Sequence, residues 1–210
     1  MSDIAQLADE LKTILKPACE RIELAGSIRR SKPDPKDIEI CAIPRFIAQS
    51  QAGLFGDEMP LGAVNQLDDL VEMLANGEGD WEFDPVTRRN GHKYKRLRHR
   101  ETLIACDLFI TDARRWGAIL AIRTGPADFS KALVGLALLR GMFVDEGLLH
   151  QHHRQYKMKN GERVPLPCSR GDACSLIVPT REEKDFFQTL GVAWLEPAKR
   201  TLARLIRRRT

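Results

Sequence analysis

Ile4, Leu7, Ala8, Leu11 and Leu15 recur at the spacing of one helical face, predicting an amphipathic helix that stops near Pro17. Residues 21–25 read as a short strand entering a Gly26-Ser27 turn. Around Asp37 the period changes to two. Asp37 and Glu39 then share one strand face, while Ile38 and Ile40 share the other. Pro44, Gly53, Gly56, Pro60 and Gly62 interrupt any pattern and predict an irregular surface loop, with some apolar content at Leu54-Phe55. Val64–Leu74 reads as a helix ended by Asn76-Gly77. Asn90-Gly91 marks a turn, followed by an alternating basic strand and by an apolar strand, Leu103–Ile110, carrying one acid, Asp107. From Ala113 the character becomes helical. Trp116, Ile119, Leu120 and Ile122 form a buried face, broken at Thr124-Gly125. Pro126 starts the next helix, which reaches Arg140-Gly141. Residues 142–178 read as short strands and hairpins, one at Lys159-Asn160-Gly161-Glu162. Thr180 and Glu183 have the spacing of a capping box for a helix ending at Gly191. Ala198–Arg209 is amphipathic and ends in consecutive arginines, suited equally to nucleic acid and to a solvated end.

Composition narrows the class. The 210 residues suit one large or two small domains with a real core, and 30% charged with 43% hydrophobic residues is ordinary for a soluble chain. No apolar run reaches spanning length and no signal-peptide core opens the chain, so no membrane association is expected. A net charge of +4 hints only weakly at an anionic partner. Cys19, Cys41, Cys106, Cys168 and Cys174 are odd in number and read as reduced thiols of a cytoplasmic protein. Cys168 and Cys174 with His150, His152 and His153 raise the idea of zinc. Their spacing fits no common zinc pattern, and no zinc site is expected.

The candidate chemistry is carried by acids. Two carboxylates side by side on a strand repel unless a cation lies between them, and oxygen-only ligands suit Mg²⁺. An exposed strand also carries Asp and Glu on its wet face, so Asp37-x-Glu39 alone leaves both readings open. Asp107 is a lone acid among apolar residues, costly to bury unless paired or metal-bound. If its strand lies beside the first, three carboxylates form a site for two Mg²⁺ ions about 3.5–4 Å apart. The turn after Leu24 offers backbone N–H groups and Arg30 to a phosphate. Lys93, Lys95, Arg96, Arg98 and Arg100 concentrate charge before the Asp107 strand, as a nucleic-acid groove or as a charge-defended edge.

Gly26-Ser27, Asp37-x-Glu39 and Asp107, in that order, resemble the nucleotidyltransferase superfamily. Thr124-Gly125 followed by Phe129 resembles the nucleotide-pocket segment of the DNA polymerase β-like (family X) group, and Pro179–Pro197 resembles its thumb. The resemblance implies an α/β (α+β) fold, with a mixed-sheet palm over residues 1–112 and a small helical and hairpin thumb over 113–210. It implies DNA-directed nucleotidyl transfer from a nucleoside triphosphate to a 3′-hydroxyl, in gap filling or repair. Asp37 and Glu39 would hold two Mg²⁺ ions, with Mn²⁺ as an alternative, and Asp107 would join the metal beside the attacking hydroxyl. Gly26, Ser27 and Arg30 would hold phosphates, and Thr124 and Gly125 would line the sugar pocket. Primer-template or gapped DNA is the implied partner of a monomer. The chain departs from the group at Glu39 in place of Asp, Lys36 in place of Gly, and Ile122-Arg123 in place of Tyr-Phe. It departs again at Ser130 and Val134, in place of Asn and Arg. Transfer to RNA, protein or a small molecule, or a non-catalytic nucleic-acid-binding module, are the alternatives.

Overall fold

The apolar stripe at the start of the chain becomes the inner face of α1 (Asp3–Leu15), where Ile4, Ala8, Leu11 and Leu15 are buried in a computed structural model. The structure describes residues 3–52, 58–77 and 79–207. The expected loop positions Gly53, Leu54, Phe55 and Gly56, and the tail arginines Arg208 and Arg209, lie outside the described residues. In chain order, β1 (Cys19–Leu24), the single-turn α2 (Gly26–Arg29), β2 (Ile38–Pro44), β3 (Phe46–Ala52) and β4 (Glu58–Asn65) follow. Then come α3 (Gln66–Asn76), β5 (Trp81–Phe83), β6 (Tyr94–His99), β7 (Ala105–Ile110), α4 (Trp116–Thr124) and α5 (Ala127–Leu139). The chain closes with β8 (Phe143–Asp145), β9 (Leu148–His150), β10 (Tyr156–Lys159), β11 (Glu162–Pro165), β12 (Ile177–Val178), α6 (Glu183–Thr189) and α7 (Leu202–Arg207).

These elements form two compact units, residues 1–24 with 33–111, and residues 25–32 with 112–210. The chain crosses between the units three times, the last time at residue 112. The excursion 25–32 was expected in the first unit; it belongs to the second, because its two arginines are tied there to Thr124 and Glu183.

The first unit is built on a five-stranded sheet in the order β1-β2-β7-β6-β5. It is mixed: β2 and β7 run parallel and the other pairs antiparallel. Ile38, Ile40, Leu97, Cys106 and Leu108 are fully buried, with α1 and α3 packed on the sheet. Each such side chain contributes about 1.5–3 kcal/mol over leaving it in water. The helix α3 starts at Asn65, whose side chain accepts from the Leu67 and Asp68 N–H groups. Residues 46–52 and 58–62, expected as irregular loop, belong to the antiparallel pair β3–β4, and Val64, expected to open the next helix, lies in β4 instead. Phe46 to Ser50 are all exposed, so neither face of this ribbon needs an apolar alternation, and the usual strand signal is missing.

The second unit packs α4, α5 and α6 around Phe129, Leu133, Leu136, Phe186, Phe187 and Leu190. Gly117 allows α4 to touch the chain before α6: its N–H donates to the Thr180 carbonyl at 2.6 Å, and a Cβ there would lie 2.0 Å from the Glu182 carbonyl oxygen. The capping box differs from the one expected. It joins Glu182 and Asp185, whose side chain accepts from the Glu182 N–H. Thr180 is fully buried and its hydroxyl is engaged with the Ala118 N–H and the Arg114 carbonyl instead. A three-stranded sheet, β12-β9-β8, and the hairpin β10–β11 complete the unit. The hairpin turns at Asn160-Gly161, where both residues have positive φ, as the Asn-Gly signal predicts.

Although their spacing matches no common zinc pattern, the second unit gathers His150, His152, Cys168 and Cys174, their ligating atoms all within 4.8 Å of one another. His-x-His and the two cysteines are separated in sequence by the β10–β11 hairpin, which loops out and returns the chain to the same point. His153 is exposed and outside the group. Among the described residues no helix is long and apolar enough to cross a membrane.

Candidate active site

The parallel pairing of β2 with β7 sets Glu39 directly opposite Asp107. Asp37 precedes β2 by one residue and lies two before Glu39, so strand alternation puts all three acids on one face. The intervening Ile38 and Ile40 are fully buried on the other. The three acids are half-buried, accessible to ions but partly withdrawn from water. Their summed field is felt by the neighbouring Cys106, whose thiol is pushed well up by burial first and then by Asp107, Asp37 and Glu39.

Asp107 is already partly neutralised. Its Oδ1 accepts from the Tyr94 hydroxyl and from Arg96 Nη1, both at 2.6 Å. Arg96 also donates to Asp84 at 3.2 Å. Burial and the hydrogen bond to Asp107 raise the Tyr94 phenol, so it stays a donor. Tyr94 and Arg96 reach Asp107 because β6 is the antiparallel neighbour of β7, with Arg96 opposite Asp107.

Four basic residues of this segment are placed differently from one another. Lys95 is 3% exposed and its ammonium is ion-paired with Asp68 at 3.0 Å and hydrogen-bonded to Asn90 at 2.6 Å, inside the first unit. Arg96 serves Asp84 and Asp107, and Arg98 is ion-paired with Glu82. Lys93 is exposed. The alternation of β6 explains the division: Lys95, Leu97 and His99 point inward, while Arg96 and Arg98 lie on the half-exposed face with the acids.

In the second unit the nucleotide-binding candidates come together. Gly26 has φ 59°, a conformation glycine adopts without strain, and it opens the turn that carries Ser27. Arg30 Nη1 donates to the Thr124 carbonyl, and Arg29 Nη1 donates to the Thr124 hydroxyl at 2.8 Å. Gly26, Ser27 and Arg30 are thereby held against Thr124-Gly125. The Ser27 hydroxyl is buried and has no hydrogen-bond partner, an expensive condition that a ligand oxygen would relieve.

Sequence reasoning missed the group that fixes this turn. Glu183 receives both Nη atoms of Arg29 at 2.8 and 2.9 Å, and Arg200 Nη1 at 2.7 Å. Arg200 is 2% exposed and Glu183 6%. Burial pushes the Glu183 carboxyl up, but the hydrogen bonds and charges of the two arginines outweigh it and hold the group below its ordinary range. The residues are too far apart in sequence for any periodicity to connect them, and Glu183, set among Glu182, Lys184 and Asp185, reads as a capping residue.

Comparison with known proteins agrees with this architecture. The family model of the DNA polymerase beta thumb matches residues 119–201. DNA polymerase lambda from Rattus norvegicus is 28% identical over 179 residues, which cover 83% of this chain and 28% of the relative. The chain thus spans less than a third of that protein's length. The mixed-sheet acid face of the first unit and the thumb match of the second support a DNA polymerase β-like, family X fold.

Proposed function

We propose that the protein transfers a nucleotide from a nucleoside triphosphate to the 3′-hydroxyl of a DNA primer, filling short gaps. The observation that carries this is the parallel β2–β7 register, which sets Glu39 beside Asp107 with Asp37 on the same face. The donor set is all oxygen and half-buried, which fits Mg²⁺ or Mn²⁺. Asp37 and Glu39 would hold both ions and Asp107 one. Bound there, the ions would neutralise charge on the triphosphate and acidify the 3′-hydroxyl. The protein's own part is positioning. Ser27 and Arg30 orient the β- and γ-phosphates, Gly26 lets the backbone approach them, and Thr124-Gly125 supports the sugar. Arg96 holds Asp107 in place and compensates its charge. Lys93, with the half-exposed Arg96 and Arg98, faces the nucleic-acid backbone; Lys95 is committed to Asp68 and takes no part. That commitment of charge inside the first unit also weighs against a module whose sole task is DNA binding.

The test is nucleotide addition to a labelled primer on a single-nucleotide gap, an open primer-template and an RNA primer, with Mg²⁺, Mn²⁺ or chelator. Divalent-dependent addition strongest on the gap, abolished in Asp107→Ala, is the expected result. No addition to any DNA acceptor by a folded protein overturns the reading, and addition to RNA alone transfers it to the alternative of a nucleotidyltransferase acting on RNA.

A further inference from the structure

We propose that His150, His152, Cys168 and Cys174 form a closed, structural zinc site in the second unit. The site is independent of any polymerase activity, and its surroundings are short of core. Residues 143–178 contain strands of only two to four residues. The β10 residues are all exposed and β11 nearly so. The buried apolar side chains here are Phe143, Leu148, Leu149 and Cys174. So small an apolar cluster stabilises a hairpin-rich segment poorly, and proteins in this position use a metal or a disulfide as a staple.

The four side chains have the chemistry of a staple. Two thiolates and two imidazoles are the tetrahedral set that zinc prefers, and the thiolates balance the charge of Zn²⁺. With Zn–S near 2.3 Å and Zn–N near 2.0–2.1 Å, the edges of such a tetrahedron are about 3.3–3.8 Å. His152 Nε2 lies 3.6 Å from Cys168 Sγ and 3.7 Å from Cys174 Sγ, on that scale.

The imidazoles are prepared for it. His152 Nδ1 lies 3.2 Å from the His153 carbonyl, which can only accept. The proton therefore sits on Nδ1, and the Nε2 lone pair faces two sulfurs at once. One lone pair cannot satisfy two thiols, whereas one cation among all three satisfies each of them. His150 is 1% exposed and its Nδ1 has no hydrogen-bond partner. Phe143 stacks on His150 at 4.9 Å and meets His152 edge-on at 5.0 Å, fixing both rings. The Cys168 N–H donates to Asp145 at 2.8 Å, which fixes the loop carrying the first sulfur. All four positions come from protein, which leaves no open position for substrate and makes the site structural. Binding displaces the two thiol protons to solvent and involves no redox change.

The test uses the full chain, purified with reductant and without chelator. About one zinc per chain is expected, retained in His153→Ala and lost in Cys168→Ser and His152→Ala, with affinity lowered by ~100-fold or more. Replacement by Co²⁺ should give thiolate-to-metal charge-transfer absorption in the parent, absent in the cysteine double variant. Because a variant can fail to fold, the parent decides the matter. If reduced, folded parent protein neither carries zinc nor takes up Zn²⁺ or Co²⁺ on titration, the proposal is wrong. A Cys168–Cys174 disulfide in protein isolated from reducing cytosol, seen by mass before any oxidation, also overturns it, as does zinc lost with His153 and kept without His152.

Discussion

Asp107 and Glu183 are both acids held by arginine, and they illustrate opposite uses of charge. Asp107 lies on a strand face at 16% side-chain exposure, with one oxygen occupied by Tyr94 and Arg96 and two like charges nearby. Glu183 is 7% exposed, with both oxygens occupied by Arg29 and one of them also by Arg200. The first arrangement keeps three acids together on one half-exposed strand face. The second is sealed and saturated, and its work is to hold the Gly26-Ser27 turn in the second unit. Ligand chemistry and structural chemistry are thus separable here by satisfaction as much as by burial.

The sharpest way to break this contrast is to neutralise each acid. Asp107→Ala should lower nucleotide addition by ~10³-fold, the scale of losing one preorganised charge contact. Its melting temperature should stay near the parent's or rise, because relief of repulsion among three acids offsets the lost Arg96 pair. Glu183→Gln should show the reverse, losing about 3–5 kcal/mol of stability by leaving buried arginines uncompensated. Urea titration and primer extension on both variants check the pair of outcomes. A stable Glu183→Gln protein, or an unstable Asp107→Ala one, removes the distinction.

Acid should act on the Glu183 cluster. The folded-state pKa of Glu183 lies below its ordinary 4.5. A depressed carboxylate contributes stability that is complete above the unfolded pKa and is lost as pH falls through the folded value. Stability of the parent should therefore decline on acidification below about pH 4.5, more steeply than that of Glu183→Gln. Melting curves from neutral to pH 3 report this; parallel acid limbs would exclude Glu183 as the source.

How much of this was legible follows from the same contrast. Asp37, Glu39 and Asp107 stood out because strand alternation makes a polar position in an apolar run visible one residue at a time. Their pairing required the parallel β2–β7 register, a tertiary fact. Arg29, Glu183 and Arg200 belong to three separate segments, and only folding joins them. The β3–β4 ribbon escaped because exposed strands carry no burial pattern. His150, His152, Cys168 and Cys174 fail the spacing rules for zinc because one residue separates the histidines and five the cysteines, whereas those rules ask for about three to five and two to four; only the fold brings the two pairs together.

The smallest expected effects sharpen the comparison within a single strand segment. Lys93 and Lys95 are two residues apart, and both were read from sequence as phosphate contacts. Lys95 is inside the fold against Asp68 and Asn90, whereas Lys93 is exposed before β6 begins. A phosphate contact adds affinity by releasing counterions, so its loss lowers the salt slope of DNA binding by about 0.7–0.9 per contact. A buried ion pair releases none. Lys93→Ala should therefore flatten the slope by that amount while leaving the urea midpoint within about 0.5 kcal/mol of the parent. Lys95→Met should leave the slope unchanged and cost about 1–3 kcal/mol of stability, by stripping Asp68 and Asn90 of their partner. Binding isotherms on gapped DNA at several salt concentrations, with urea unfolding of both variants, measure the two quantities separately. Should Lys95→Met flatten the slope as much as Lys93→Ala does, the lysine leaves Asp68 to meet DNA, and sealed charge in the first unit is less committed than its geometry indicates.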